Sequence, residues 1–277
     1  KRGELLMNQR KPLKELNLLD KFLFDEAMDD PENVKTMLDI ILSQNTNLKH
    51  PPQTEKEQRT STDNRQIRLD VYAIDEDDVI YEAEAQKENT HNLPKRSRLY
   101  QGIIDSKLLP PGVIDFNLLN EVLIVLIMPF DLFGYGLYRY TFQMKCEEVP
   151  ELKLDDGATR IFLNTRGKHP ELVSPELIEL LKYMEHSTDE ISEACESKRI
   201  QEMHRRVCQI KASEKAEVKY MQTWEEKILI KQEGERIGLE RINRLNQKLI
   251  EQGRFDDLTK ATSDSSYQEK LLKEFKI

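Results

Sequence analysis

The chain has 277 residues, of which 34% are charged and 38% hydrophobic, and its net charge is −9. This length fits one sizeable domain with an appendage or two small domains, and the acidic balance argues against a generic binder of polyanions. The longest apolar run, Val122–Met128, is too short to span a bilayer. Three separated cysteines and no visible signal peptide favour reduced thiols in a cytoplasmic protein.

Two helices are predicted near the N-terminus, after a basic lead-in that contains Pro12. Asn17 or Asp20 can cap the first helix, and the Asp30-Pro31 pair ends it and begins the second. The first helix buries Phe22, Leu23, Phe24, Ala27 and Met28, and the second carries Val34, Met37, Leu38, Ile40, Ile41 and Leu42 at helical spacing.

A polar stretch, Ser43–Asn64, reads as an irregular loop that leads into a β-hairpin over Arg65–Gln86. The hairpin consists of two runs rich in β-branched and aromatic residues around the acidic turn Asp75–Asp78. Pairing Asp70 with Glu82 or Glu84 would place all the carboxylates on one face, which predicts an odd-length loop or a bulge near the turn. Pairing Asp70 with Ala83 would separate Asp70 from Glu84.

Close carboxylates repel one another and lose solvation, and a divalent cation would remove both costs. Mg²⁺ takes oxygen ligands, and Asp70, Glu84 and the Ala85 carbonyl could supply them. The alternative is an edge hairpin with a solvated acidic face.

A helix is predicted over Leu93–Lys107, with Leu99, Ile103 and Ile104 facing the sheet and Lys95, Arg96, Arg98 and Gln101 facing outward. Arg96 and Tyr100 lie four residues apart on one face. A basic helix directly after an acidic strand is well placed to meet phosphate oxygens, and plain surface solvation is the alternative.

Three more strands are predicted after this helix. Leu118–Met128 is nearly all apolar, as in a central strand buried on both faces, and Leu137–Lys145 and Arg160–Asn164 read as further strands. We therefore expect an α/β (α+β) core over residues 1–170, with a mixed central sheet flanked by helices.

A helical C-terminal extension is predicted over residues 171–277. It consists of a helix over Pro175–Glu185, a largely helical stretch to Leu249 interrupted near Ser213 and the Gly234/Gly238 pair, and a short helical tail. Leu239, Ile242, Leu245 or Asn246, and Leu249 approximate a heptad seam, which suggests packing on the body or a homodimer. Tyr267, Leu271, Leu272 and Phe275 form a docking face on the tail.

Several short motifs occur in a fixed order along the chain: Arg68-Leu69-Asp70-Val71, Tyr81-Glu82-Ala83-Glu84-Ala85-Gln86 and Lys95-Arg96-Ser97-Arg98-Leu99-Tyr100, with terminal segments around Lys11–Phe24 and Leu249–Phe275. Together they resemble one bacterial family, the Rpn-type recombination-promoting nucleases, also described as transposase-like, of the PD-(D/E)XK nuclease superfamily. In that family Gln commonly replaces the final Lys of the superfamily motif, as Gln86 does here. Ala83-Glu84-Ala85 departs from the Ile-Glu-Met that the family more often has, but both changes replace one apolar residue with another.

The resemblance implies a restriction-endonuclease-like core and a metal-dependent DNA endonuclease. Asp70, Glu84 and Gln86 would be catalytic, and Asp70, Glu84 and the Ala85 carbonyl would hold Mg²⁺ or Mn²⁺. Arg68, Arg96, Arg98 and Tyr100 would contact DNA. The superfamily often brings an acidic residue of the first helix towards the metal, for which Asp25 and Glu26 are the candidates; a solvated helix face is the alternative.

Other catalytic classes lack support in the sequence. It contains no dinucleotide or P-loop glycine motif, and the five histidines form no HxxxH pair or His/Cys cluster. The competing hypothesis is a degenerate nuclease fold that binds DNA or a protein partner through its C-terminal helices.

Overall fold

The structure, a computed structural model, describes residues 10–58 and 67–277, apart from the side chains of residues 55, 57, 58, 67 and 68. The helices within these ranges are α1 (Lys21–Met28), α2 (Pro31–Leu42), α3 (Leu93–Asp105), α4 (Pro175–Glu185), α5 (Asp189–Glu193), α6 (Lys198–Lys211), α7 (Glu214–Glu251), α8 (Phe255–Ser263) and α9 (Ser265–Glu274). The strands are β1 (Gln53–Gln58), β2 (Ile67–Ile74), β3 (Ile80–Ala85), β4 (Val122–Met128), β5 (Arg139–Phe142) and β6 (Ala158–Asn164).

The strands form one mixed six-stranded sheet in the order β1-β2-β3-β4-β6-β5. Strands β1, β2 and β3 pair antiparallel, β3 and β6 run parallel to β4, and β5 pairs antiparallel with β6. The sheet is flanked by helices, so the predicted α/β class is confirmed. As expected from its apolar run, β4 is central, and six of its seven side chains are buried.

The predicted loop over residues 43–64 is wrong in one part, because Gln53–Gln58 forms the edge strand β1. Its sequence, Gln-Thr-Glu-Lys-Glu-Gln, has no apolar alternation, so only its pairing with β2 makes it a strand. A polar, charged edge strand also discourages pairing with other chains.

Helix α3 covers one face of the sheet through a cluster that joins Leu93, Tyr100, Ile103 and Ile104 to β4. Leu99 is 42% exposed and Gln101 is buried, so the predicted orientation was wrong at these two positions. The helix turns so that Tyr100, rather than Leu99, fills the apolar cluster.

The compact units differ from the predicted domains. The first unit ends at Glu217 and the second is Val218–Ile277, whereas the sequence suggested a boundary after residue 170. Helices α4 and α6 pack on α2, and α6 also packs on α1, so this segment belongs to the same unit as the sheet.

In the second unit, the end of α7 forms a small core with the two C-terminal helices. Leu245 and Leu249 are buried with Ala261 and Leu271, and Tyr267, Leu272 and Phe275 pack around them. The tail's docking face is therefore used within the chain. The predicted break at Gly234/Gly238 is wrong, because α7 continues through both glycines; their cost of about 1 kcal/mol each is offset by flanking helix formers.

Within the described ranges, no helix combines the length and apolar composition that a bilayer crossing requires.

Candidate functional site

The β2–β3 hairpin brings three carboxylates to one face of the sheet. Val71 lies opposite Ala83 and Tyr72 opposite Glu82. The same register, continued by one residue, places Asp70 opposite Glu84, and Glu82 lies two residues before Glu84 on the same face. Asp70 and Glu84 are buried, and Glu82 is fully buried.

The hairpin loop fixes this register. Five residues, 75–79, connect the paired Ile74 and Ile80, which is the odd-length loop that the sequence predicted. The carboxylate of Asp75 accepts hydrogen bonds from the backbone N–H groups of Asp77 (3.0 Å) and Val79 (2.9 Å) and from the Tyr81 hydroxyl (2.6 Å). A loop closed in this way resists the one-residue slip that would send Asp70 to the opposite face.

Lys21, at the start of α1, connects the first helix to the cluster. Its Nζ donates to Asp70 Oδ1 and lies 3.2 Å from Asp25 Oδ2. Burial alone would lower the pKa of Lys21, but the neighbouring carboxylates of Asp70 and Asp25 outweigh it, so the pKa is raised. Lys21 therefore stays charged beside Asp70.

Arg96 of α3 approaches from the other side. Its Nη2 donates to Glu84 Oε1 at 2.6 Å and to Gln86 Oε1 at 2.6 Å, and its guanidinium lies 5.9 Å from the centre of the Tyr100 ring. One guanidinium thus holds the carboxylate and the amide of the Glu84-x-Gln86 motif together.

The two cations, Lys21 and Arg96, do not provide a hydrogen bond to every buried carboxylate oxygen of the cluster. Neither carboxylate oxygen of Glu82, nor Oε2 of Glu84, has a hydrogen-bond donor among the described residues. Glu82 pairs across the sheet with Ile124, and Glu84 with Leu126, so both sit beside apolar neighbours in β4. A buried, unpaired carboxylate is costly, which makes this the least compensated part of the site.

The same burial shifts the pKa values of the acids in the cluster. Desolvation raises the pKa of Glu84 to about 7, against the attraction of Arg96 and helped by repulsion from Asp70. Desolvation, then repulsion from Glu84 and Asp70, raises the pKa of Glu82 well above its ordinary value. Burial, followed by the charge of Glu84, raises the pKa of the Tyr100 phenol. Such perturbed acids in one cluster are a mark of functional sites.

A divalent cation fits this donor set. Three converging carboxylates, of which Glu82 and Glu84 have oxygens without a donor among the described residues, are the hard, anionic ligands that Mg²⁺ and Mn²⁺ prefer. The charge of the cation would reverse the repulsion that raises the two glutamate pKa values.

The structure brings some of the predicted site residues together and leaves others apart. Asp70, Glu84 and Gln86 come together as expected, and Ala85 ends β3 between the last two. Arg96 and Tyr100 face into the site, which corrects the outward orientation expected for Arg96; Arg98 is exposed. Of the two first-helix acids, Asp25 joins the cluster through Lys21, and Glu26 is half-exposed. The side chain of Arg68 lies outside the described residues.

Sequence reasoning did not assign Lys21 or Glu82 to the site. Glu82 was detectable, because it lies two residues from Glu84 and so shares its face. The only local signal for Lys21 is its i,i+4 spacing to Asp25, since Asp70 is 49 residues away.

Comparisons with protein-family models, curated proteins and solved structures find no match to this chain.

Proposed function

We propose that this protein is a metal-dependent nuclease that cleaves phosphodiester bonds in DNA. The observation that carries the proposal is the buried cluster of Asp70, Glu82 and Glu84, in which three carboxylate oxygens have no donor among the described residues. A structural ion-pair network would need a partner for each charge, whereas here three carboxylates share the two cations Lys21 and Arg96, and a metal ion would supply the missing positive charge. The motifs that resemble the recombination-promoting nucleases include Asp70, Glu84 and Gln86 and support the same function.

Asp70, Glu84 and the Ala85 carbonyl would hold Mg²⁺ or Mn²⁺, with Glu82 beside them. When bound, the metal would supply Lewis-acid activation of water and neutralise negative charge that develops on the phosphate. The raised pKa of Glu84 means that the acid is in part protonated near neutral pH until a cation binds.

The remaining side chains of the site orient its reacting groups and balance its charge. Gln86 cannot act as a cationic acid, but its amide can orient a water molecule by hydrogen bonds. Arg96 fixes that amide, since it binds both Gln86 and Glu84. Lys21 places an ammonium next to Asp70 and so balances the charge of that carboxylate.

The topology is compatible with the proposed restriction-endonuclease-like core. An antiparallel pair, β2–β3, carries the acids, and α3 then connects β3 to the parallel strand β4. This connection places the exposed basic positions of α3 directly after the acidic strand, where a DNA backbone would pass.

The decisive experiment is a nicking assay of supercoiled plasmid by the full chain. We expect open-circular product with Mg²⁺ or Mn²⁺ and none when EDTA is added. Absence of cleavage with either metal, together with absence of Mn²⁺ binding in calorimetry, would contradict the proposal. Metal binding without cleavage would instead indicate a different DNA substrate, which single-stranded DNA tests next.

Arg98 should contribute to DNA affinity without taking part in chemistry, because it is exposed on α3. Arg98→Ala should weaken DNA binding and reduce the salt slope, d log K/d log[salt], by about one unit. Arg205→Ala, which removes an exposed arginine of α6, is the matched control and should leave both unchanged. Fluorescence anisotropy at several salt concentrations, with Ca²⁺ in place of Mg²⁺, measures this. Equal effects of the two substitutions would contradict the placement of DNA on α3.

A second candidate function is a binding module that acts through the second unit. The feature that favours it is a set of exposed apolar side chains on α7: Leu229, Ile230, Ile237 and Leu239. The lower part of the predicted seam, Leu245 and Leu249, is already buried within the chain, so a homodimer would have to use these upper residues. Light scattering of the parent and of Ile230→Glu tests the dimer.

A further inference from the structure

A second cluster of metal-binding residue types lies among the helices after the sheet. Asp189 is the first residue of α5, and His204 and Cys208 lie one turn apart on α6. The His204 Nε2 is 2.8 Å from Asp189 Oδ1 and 3.3 Å from Cys208 Sγ, and the sulfur is 3.8 Å from the same carboxylate oxygen. The sequence interpretation, which found no His/Cys cluster, is wrong at this point.

We propose that Asp189, His204 and Cys208 form a zinc site. In tetrahedral zinc sites the metal lies about 2.0–2.2 Å from N and O ligands and about 2.3 Å from S, so the ligand atoms are about 3.3–3.6 Å from one another. The three observed separations bracket that range, but the sulfur is also 3.9 Å from Nδ1 of His204, so the thiol rests against the imidazole ring. Rotation of the half-buried Cys208 side chain about χ1 would bring the sulfur towards the position that Nε2 and the carboxylate share. One carboxylate and one thiolate would together neutralise the charge of Zn²⁺.

The imidazole is held in the orientation that such a site requires. Nδ1 of His204 lies 3.0 Å from the hydroxyl of Tyr183, and both rings are buried. Engagement of Nδ1 leaves Nε2 to face Asp189 and a metal, which is the outer-sphere support that metal-binding histidines usually have.

The geometry differs from that of a Cys-His-Asp catalytic triad. In a triad the base uses one ring nitrogen for the nucleophile and the other for the carboxylate. Here the carboxylate and the thiol both lie nearest to Nε2, and Nδ1 is paired with the Tyr183 hydroxyl, so the carboxylate cannot orient the imidazole towards the sulfur. Burial and the charge of Asp189 also raise the pKa of the Cys208 thiol, which does not suit a nucleophile.

The burial of the three ligands defines an open site. His204 is buried, Cys208 is half-buried and the Asp189 side chain is 84% exposed. Three protein ligands with one solvent-facing position leave the fourth position to water or an added ligand. A bound ion would connect the start of α5 to α6 and stabilise the folded state of the first unit.

The test uses the full chain and Zn²⁺ itself, with excess Mg²⁺ present to occupy the carboxylate cluster on the sheet. Competition with a chromogenic chelator should give one Zn²⁺ per chain with Kd of about 1 µM or tighter. Cys208→Ser and Asp189→Asn should each weaken binding by about 10-fold or more, and Tyr183→Phe by about 10- to 100-fold.

Cys146→Ser is the matched control, because the Cys146 thiol also contacts a carboxylate, that of Glu148 at 3.2 Å, but has no imidazole in the group. Co²⁺ should give a thiolate-to-cobalt absorption band in the parent and in Cys146→Ser, and none in Cys208→Ser. A parent chain that binds no Zn²⁺, or a band that persists in Cys208→Ser, would overturn the proposal. Because Asp189 is exposed, Asp189→Asn keeps the test valid if Cys208→Ser does not fold. The result is independent of nuclease activity.

Discussion

Asp70→Asn is expected to nick supercoiled plasmid about 100-fold more slowly than the parent, or slower still, at saturating Mg²⁺. The amide keeps the size of the side chain but removes the negative charge that faces Lys21 and the two glutamates. A neutral oxygen is a poor ligand for a hard cation, so calorimetry should show weaker Mn²⁺ binding in parallel with the loss of rate.

The controls for Asp70→Asn separate chemistry from folding. Asp78→Asn changes an exposed acid of the same hairpin, at a position with φ of +61° that asparagine tolerates, and should cut like the parent. If Asp70 and Glu84 act as one unit, adding Glu84→Gln to Asp70→Asn should cost little more than Asp70→Asn alone. Parent-like cleavage by Asp70→Asn would show that the carboxylate cluster is not the active site.

Glu82→Gln is expected to stabilise the metal-free protein by roughly 1–3 kcal/mol at pH 8, because it removes an ionisable group that is buried without a donor among the described residues. Glu82 is fully buried and its two oxygens have no donor in the described chain, so burial raises its pKa well above the ordinary value. An acid whose pKa is higher in the folded state lowers stability as pH rises above the unfolded-state pKa. The gain should therefore be small at pH 4.5 and grow towards pH 8.

Glu84 imposes the same pH dependence on the parent. Its pKa changes from 4.5 to about 7 on folding, which corresponds to a loss of roughly 3 kcal/mol as the pH rises through that interval. Urea denaturation of the metal-free parent across this range measures the loss. Saturating Mg²⁺ should reduce both this loss and the difference between the parent and Glu82→Gln, because the cation stabilises the charged acids.

Glu76→Gln is the matched control for Glu82→Gln, because Glu76 is an exposed glutamate of the same hairpin. It should leave the free energy of unfolding within about 0.5 kcal/mol of the parent at every pH. A Glu82→Gln protein that is less stable than the parent at pH 8 would mean that the carboxylate is satisfied in the folded state, and would remove the main support for a cation site.

The sequence by itself determined several local elements and limited the hairpin to registers that place Asp70 opposite Glu82 or Glu84 if the carboxylates share a face. The apolar periodicity of α1 and α2 and the continuous apolar run of β4 identified those elements, because burial of one face or both faces leaves a direct pattern in the residues. An odd-length loop or a bulge near Asp75–Asp78 followed from the requirement that the carboxylates share a face, and the structure has the five-residue loop 75–79. Gln86 was expected at the site through the resemblance to the recombination-promoting nucleases, in which Gln commonly stands at that position of the motif.

Only the tertiary structure decided which distant groups meet. Lys21 contacts Asp70, which lies 49 residues away in the chain, and β1 is a strand because it pairs with the edge of β2. No local sequence pattern predicts either contact. Arg96 turns inward because its ion pair with the buried carboxylate of Glu84 outweighs the lost hydration of the guanidinium. The convergence of Asp189 on His204 and Cys208 likewise requires α5 and α6 to pack together, since ligand geometry depends on distances in space rather than on spacing in the chain.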